Sequence, residues 1–329
     1  MKHLLVSGIG ALRRFFGRSR AAIKDKGRLE VSETIPILHM LSPLKHNSPF
    51  DVSMAADAGY KVIAPYINVT LDEVPALVQD AMFSRPPEHG LRTGIFIGGK
   101  DAILALDMVD AARKAMVPPF QVSVFADPAG SFTTAAAMVA CVERVLKFKF
   151  SRSLKGVRVA VFGATGVVGF ASSVIAALEG ASVQLVAHRG VERVIKSAAV
   201  SLQRFGVILE PVSAETDEQK RAIIGNAEVI FVAGTAGTRI ISAEHLKLAQ
   251  KLLVIADVNA VPPFGVEGIA PFMDGVPIGE SDALGVGPYV IGGVKYKIES
   301  RLFKRMLSSD EQLMLDFRQA FTLARELTA

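Results

Sequence analysis

The chain reads as an α/β protein of two domains joined by helices, each domain a parallel sheet covered by helices, and three observations carry that reading. Short apolar runs alternate with helical segments from Ile35 to the C-terminus, the pattern of strand–helix units. One central run, Val157 to Phe162, passes directly into glycines at 163, 166 and 169 and then into an apolar helix. The 329 residues, 50% hydrophobic and 21% charged, suffice for two domains with ordinary cores.

In chain order, Ile35 to Met40 reads as a strand and Leu41 to Asp51, with Pro43 and Pro49, as a loop. A helix through Met54, Ala55 and Ala58 stops at Gly59. Lys61 to Tyr66 is a second strand, Leu71 to Phe83 a helix, and Arg92 to Ile97 a third strand. Gly98-Gly99-Lys100 opens an amphipathic helix, Asp101 to Met116, and Val122 to Phe125 is a fourth strand. Asp127, Ser131, Thr133 and Thr134 then offer oxygens that cap the free N–H groups of a long helix ending near Leu146. The chain therefore divides into a basic extension (1–34), a first α/β domain (35–130), a linking helix (131–150), a doubly wound domain (151–290) and C-terminal helices (291–329) that return to the first domain.

Val157, Val159, Val161 and Phe162 suit a strand buried on both faces. Glycine after such a strand lets the chain turn tightly and lets a pyrophosphate approach main-chain N–H groups at the start of the next helix. The stretch is thus a Rossmann-type dinucleotide site, with Gly163, Ala164, Thr165, Gly166, Val167, Val168 and Gly169 as candidate contacts; the alternative is a glycine turn that binds nothing. The second strand, Ala181 to Ala187, ends in His188-Arg189, with no carboxylate before Glu192. An NAD site places an acid there for the ribose hydroxyls, whereas a guanidinium pairs with a 2′-phosphate. Arg189, with His188 and Lys196 beside it, therefore favours NADP, with NAD as the alternative.

Beyond it come a helix from Val191 to Phe205, a strand from Val207 to Glu210 and a helix from Asp217 to Ile224. The strand from Glu228 to Ala233 ends in Gly234-Thr235, and the strand from Leu252 to Ala256 runs on to Asn259. Ligands lie at the carboxyl ends of parallel strands, so Ala233, Gly234, Thr235 and Asn259 point at the nicotinamide half. Two helices, Val294 to Met306 and Glu311 to Leu327, finish the chain.

Charge and cysteine content narrow the classes. The net charge is +5, but residues 1–30 hold eight Lys or Arg against two acids, leaving the body near neutrality. The basicity belongs to a tail, which argues against a nucleic-acid partner. That tail reads as a disordered extension or a start placed too far upstream, with a basic membrane-surface helix as the alternative. No run of about twenty apolar residues appears, so no membrane span is expected. Cys141 is the only cysteine and lies in an apolar helix, as a core residue rather than a nucleophile. An intramolecular disulfide is excluded, no metal-ligand spacing occurs, and a reducing cytoplasm is the simplest location.

The passages ILHMLSPLKHNSPFD (37–51), RTGIFIGGKDAILALDMVDAARKA (92–115), VPPFQVSVFADPAGSFTTAAAMVA (117–140), DVNAVPPFGVEGI (257–269) and GGVKYKIESRLFKRML (292–307) together resemble the NAD(P)-dependent methylene-tetrahydromethanopterin dehydrogenases of methylotrophic bacteria. The resemblance runs from Ile37 to Ala329. It implies a cofactor domain beside a pterin-binding N-terminal domain, a homo-oligomer such as a trimer or hexamer, and oxidation of the methylene carbon that bridges N5 and N10 of a reduced pterin. The methenyl product is a cation delocalised over two nitrogens, so the hydride leaves without an obligatory proton transfer and no general base is needed.

By motif match, Phe50 of SPFD packs on the pterin or its aryl arm with Asp51 nearby, and Lys295 of GGVKYK lies near the substrate as the one catalytic candidate. A cation beside a developing cation is unfavourable, so Lys295 orients substrate rather than stabilising charge. For Lys45, His46, Lys100, Asp127 and Thr133, substrate contact stands beside ordinary loop or capping roles. Members that accept NAD as well as NADP tend to carry an acid where Arg189 stands. A methylene-tetrahydrofolate dehydrogenase, and a non-catalytic NADP-binding sensor, remain the alternatives on residues alone.

Overall fold

Strand β1, Ile37–Leu41, pairs in parallel on one side with β2, Val62–Tyr66, and on the other with β3, Thr93–Ile97. The computed structural model describes residues 34–329; the basic extension falls outside the described residues except for Thr34. Helix α1, Pro49–Ala58, follows β1; α2, Val74–Phe83, follows β2; α3, Ala102–Ala115, follows β3 and leads into β4, Ser123–Ala126. Every residue of β3 and β4 is buried, which is why neither shows apolar–polar alternation and both are apolar after their first residues, Thr93-Gly94 and Ser123.

One element was expected differently here. Pro49 to Asp51 form the first turn of α1, not the end of a loop: Ser48 is its N-cap, accepting from Asp51 N at 3.4 Å, and proline suits the first helical position.

The long helix α4, Ser131–Phe150, is the axle of the molecule, with Phe132, Ala135, Ala136, Ala137, Val139 and Cys141 fully buried. Small alanines let neighbours approach it closely, and it touches a helix and three strands of the second half as well as the two C-terminal helices. Burial pushes the Cys141 thiol up to about 12, so it is an inert core group. Among the described residues, Pro128–Phe150 is the one helical stretch long and apolar enough to cross a membrane, and 72% of its most apolar window is buried inside the protein. Its apolar character is therefore spent on the core.

After α4 come β5 (Arg158–Phe162), α5 (Val167–Leu178), β6 (Ser182–Ala187), α6 (Glu192–Phe205), β7 (Glu210–Ser213), α7 (Asp217–Asn226), β8 (Val229–Val232), α8 (Ala243–Leu248) and β9 (Val254–Asp257). Strand β7 begins where the sequence pattern ended it. Ile208 is 81% exposed, and pairing starts at Gln184 opposite Glu210. A hairpin, β10 (Asp274–Ile278) with β11 (Ser281–Val286), adds an antiparallel edge that periodicity did not reveal.

Helix α9 spans Pro288–Ser308, starting six residues before the expected Val294 because Gly287 and Pro288 open it. The last helix, α10, is Phe317–Thr328 rather than Glu311 onward. Asp316 caps it, and the preceding Met314–Leu315 becomes β12, paired in parallel with β4. The sheet orders are β12-β4-β3-β1-β2 and β10-β11-β9-β8-β5-β6-β7. In the larger sheet the order reverses between β5 and β8, the switch point at which such sheets bind ligands.

Candidate active site

Two cavities open at the carboxyl ends of strands. The first, about 330 Å³, lies beyond β1, β3 and β4 and is lined by His46, Phe50, Asp51, Lys100, Gly130 and Lys295, among others. Of the residues proposed from sequence, Lys45 is exposed and outside this lining. Asp127 and Thr133 are fully buried behind it.

Asp127 follows β4 directly, and its Oδ1 accepts from Phe132 N at 2.8 Å and Thr133 N at 3.1 Å. Its Oδ2 accepts from Thr133 Oγ1 at 2.5 Å. Thr133 and Asp127 thus secure the N-terminus of α4, which relieves the unpaired donors there. The same turn brings Gly130, at φ 65°, against Lys295: a Cβ at Gly130 would stand 3.0 Å from Lys295 Nζ. Glycine relieves the backbone strain there, and a side chain would push the lysine aside.

Lys295 lies on α9 with its Nζ 3.7 Å from the centre of the Phe50 ring and ion-paired to Glu299 one turn along the same helix. The Phe50 face is therefore held under a cation, and Tyr296 meets the edge of the same ring at 6.5 Å. Glu299 is fully buried, Asp51 is 2% exposed and Asp127 is fully buried. Three carboxyls surround one ammonium.

Burial, reinforced by the neighbouring Asp127, pushes Asp51 up to about 7 and Glu299 up to about 8, with the Lys295 charge pulling the other way. Burial raises Asp127 as well. Sequence reading missed Glu299. Its only trace there is the Lys-to-Glu spacing of four in KYKIE, which is ordinary on any exposed helix.

The second cavity, about 430 Å³, sits at the switch point and is lined by Gly163, Thr165, Gly166, His188, Arg193, Lys220, Ala233, Gly234, Thr235 and Arg239, among others. Gly163 is at φ 84°, and a Cβ on it would meet Ala233 O at 2.3 Å; a Cβ on Gly169 would meet Gly163 O at the same distance. The bare backbone and the N-terminus of α5, opened at Gly166, form a cradle for a pyrophosphate. Among the described residues no carboxylate lines this cavity, while His188, Arg193, Lys220 and Arg239 do. The residues present thus fit an NAD(P) molecule.

Ala164 and Gly169 are buried under the turn, and Val167 and Val168 are half-buried in the first turn of α5. Arg189 and Lys196 are exposed and outside the lining. Asn259 is 5% exposed, and its side chain ties the loop after β9 to the loop after β8: Oδ1 accepts from Gly237 N and Val261 N at 3.3 and 3.0 Å, and Nδ2 donates to Pro263 O at 3.2 Å. Arg193, Lys220 and Arg239 were not singled out from sequence, since only the fold brings α6, α7 and the loop after β8 to one place.

Comparison with known proteins agrees with this arrangement. Residues 49–129, most of the first sheet's unit, match the family model described as "Methylene-tetrahydromethanopterin dehydrogenase, N-terminal". The chain is 55% identical over 291 residues to the NAD(P)-dependent methylenetetrahydromethanopterin dehydrogenase of Methylorubrum extorquens, covering 88% of this chain and 98% of that protein. It is 32% identical over 280 residues to the Bifunctional protein MdtA of the same organism, covering 85% of this chain and 94% of that one. In fold alone it is similar to shikimate 5-dehydrogenase from Listeria monocytogenes, with a TM-score of 0.51 at 13% identity, covering 93% of this chain and all of that one. On an identity of that size, sustained through both sheets, the chain belongs to the family of NAD(P)-dependent methylenetetrahydromethanopterin dehydrogenases.

Proposed function

We propose that the chain transfers a hydride from the methylene group of 5,10-methylene-tetrahydromethanopterin to NADP, giving the methenyl cation in one-carbon metabolism. The observation that carries this is the 55% identity across 98% of the M. extorquens dehydrogenase. NADP, when bound, supplies the hydride acceptor. The chain's own part is to hold the pterin and set the field around it.

In this reading residues 35–130 form the substrate domain and 151–290 the cofactor domain, with the helix 131–150 and the helices 291–329 joining them. The pterin or its aryl arm lies against Phe50, between His46 and Lys100 on the cavity wall. Lys295 orients it. The unfavourable cation beside a developing cation is answered by Asp51, Asp127 and Glu299, which outnumber it. The site then needs no proton acceptor, because the product cation is delocalised. NADP over NAD is supported by the basic, acid-free lining of the second cavity and by Arg189 at the end of β6. A cytoplasmic homo-oligomer, trimer or hexamer, completes the proposal.

The test is initial-rate absorbance at the reduced-nicotinamide band with methylene-tetrahydromethanopterin and methylene-tetrahydrofolate, each with NAD and NADP. Turnover of the methanopterin substrate with NADP preferred is expected. Turnover confined to the folate substrate would replace the pterin assignment, equal use of NAD would overturn the cofactor preference, and tight NADP binding without turnover would leave a sensor.

A further inference from the structure

The carboxyl cluster has a geometry that orienting a lysine alone does not require. Glu299 Oε2 pairs with Lys295 Nζ, but Glu299 Oε1 is buried with no hydrogen-bond donor facing it among the described residues. Burial without a donor from the protein disfavours an ionised oxygen at that position. Besides Lys295, Asp51 from α1 is the neighbouring carboxyl placed to exchange a hydrogen bond with Glu299. Two carboxylates cannot bond to each other; two carboxyls that share one proton can.

The remaining groups facing Glu299 are accounted for. Lys295, on the same helix, is the one cation facing it among the described residues. Asp127, from the turn before α4, already accepts three hydrogen bonds from Phe132 and Thr133. The pair Asp51–Glu299 is therefore where a proton joins two acceptors, and the raised values of both carboxyls, about 7 and about 8, follow from the same crowding.

Resting on the hydride-transfer reading above, we propose that Glu299 is a positioning residue with two duties: it holds the Lys295 ammonium over the Phe50 ring, and with Asp51 it carries one exchangeable proton that sets the charge of the cluster beside the reacting carbon. With the proton present the cluster of three carboxyls and one ammonium carries one net negative charge; without it, two. The more negative cluster favours the cationic transition state. No proton enters or leaves the reaction itself, so the overall equilibrium is independent of pH. kcat/KM must then rise together in both directions as the proton is lost.

Wild-type protein and the Glu299→Gln and Glu299→Asp variants test this by kcat/KM in both directions from pH 6 to 9, with nucleotide affinity as a check of folding. The wild type is expected to gain about tenfold between pH 7 and 8.5. Glu299→Gln loses that rise, and Glu299→Asp, which keeps a carboxyl, regains it in part. Infrared titration of the nucleotide-free proteins reads the proton directly: a protonated-carboxyl stretch that fades as pH rises through 7 to 8, and is absent from Glu299→Gln at pH 7.5. A variant that keeps the full pH limb, or an infrared band unchanged by Glu299→Gln, overturns the proposal. Failure of the wild type to turn over any pterin overturns the hydride-transfer reading instead, and the infrared arm still decides the proton.

Discussion

Arg193 and Arg189 divide the question of cofactor choice between them. Arg189 stands where the sequence pattern puts the ribose-reading residue, directly after β6, yet its side chain is outside the cavity lining; Arg193, in the first turn of α6, is part of that lining. Arg193 has no ion-pair partner among the described residues, whereas Arg239 pairs with Glu267 at 3.5 Å and Lys220 donates to Ile240 O at 2.7 Å. A charge-assisted hydrogen bond to a phosphate is worth about 1.5–3 kcal/mol. Arg193→Ala is accordingly expected to lower the NADP-over-NAD ratio of kcat/KM by about ten- to a hundredfold, and Arg189→Ala by less. A larger loss in Arg189→Ala would return the phosphate to that residue. The glycine turn was legible because its spacing is local; Arg193 was not, because a position in the first turn of a helix, four residues past Arg189, has no signature of its own.

At the scale of elements, α9 is the most consequential piece, carrying Lys295 and Glu299 on one turn and Phe303 on the next. Phe303 is fully buried, with ring centres 5.4 Å from Phe96, 5.2 Å from Phe125 and 6.2 Å from Tyr60. Those rings belong to β3, β4 and the turn before β2, so Phe303 fixes the depth at which α9 meets the first sheet. Phe303→Ala should cost about 3–5 kcal/mol of unfolding free energy in denaturant titration. A cost below about 1 kcal/mol would mean that α9 is held elsewhere. Most strands and helices of the first sheet could be read from apolar runs and glycine or proline stops. The β10–β11 hairpin and β12 could not. β10 buries only Gly275 and Ile278, and β12 has two residues, so neither carries a period; each exists because a sheet edge was there to accept it.

In the whole molecule, one continuous hydrophobic cluster includes Leu38 and Phe96 of the first sheet, Val139 and Val142 of α4, and Val159 and Phe231 of the second. Arg325 of α10 adds a clamp, donating to Glu143 of α4 at 2.6 Å and to Glu179 after α5 at 2.5 Å. A core with no break between its halves should melt as a unit. Scanning calorimetry is expected to give one transition in which both halves unfold together. Two resolved transitions would show that the halves are energetically separate. A division into domains at the ends of α4 is what periodicity suggests, since it sees where a helix starts and stops, and the calorimetric result is what would test it.

That helix also bears on how such proteins could be recombined. Because α4 has nearly every residue from Phe132 to Leu146 committed to neighbours in the second half and in the C-terminal helices, a chimera that takes its nucleotide half from a relative inherits, at any crossover point near residues 131–150, one foreign side of a shared interface. The two halves are not interchangeable cassettes: a graft must carry the helix together with the alanine-facing surfaces on both sides of it.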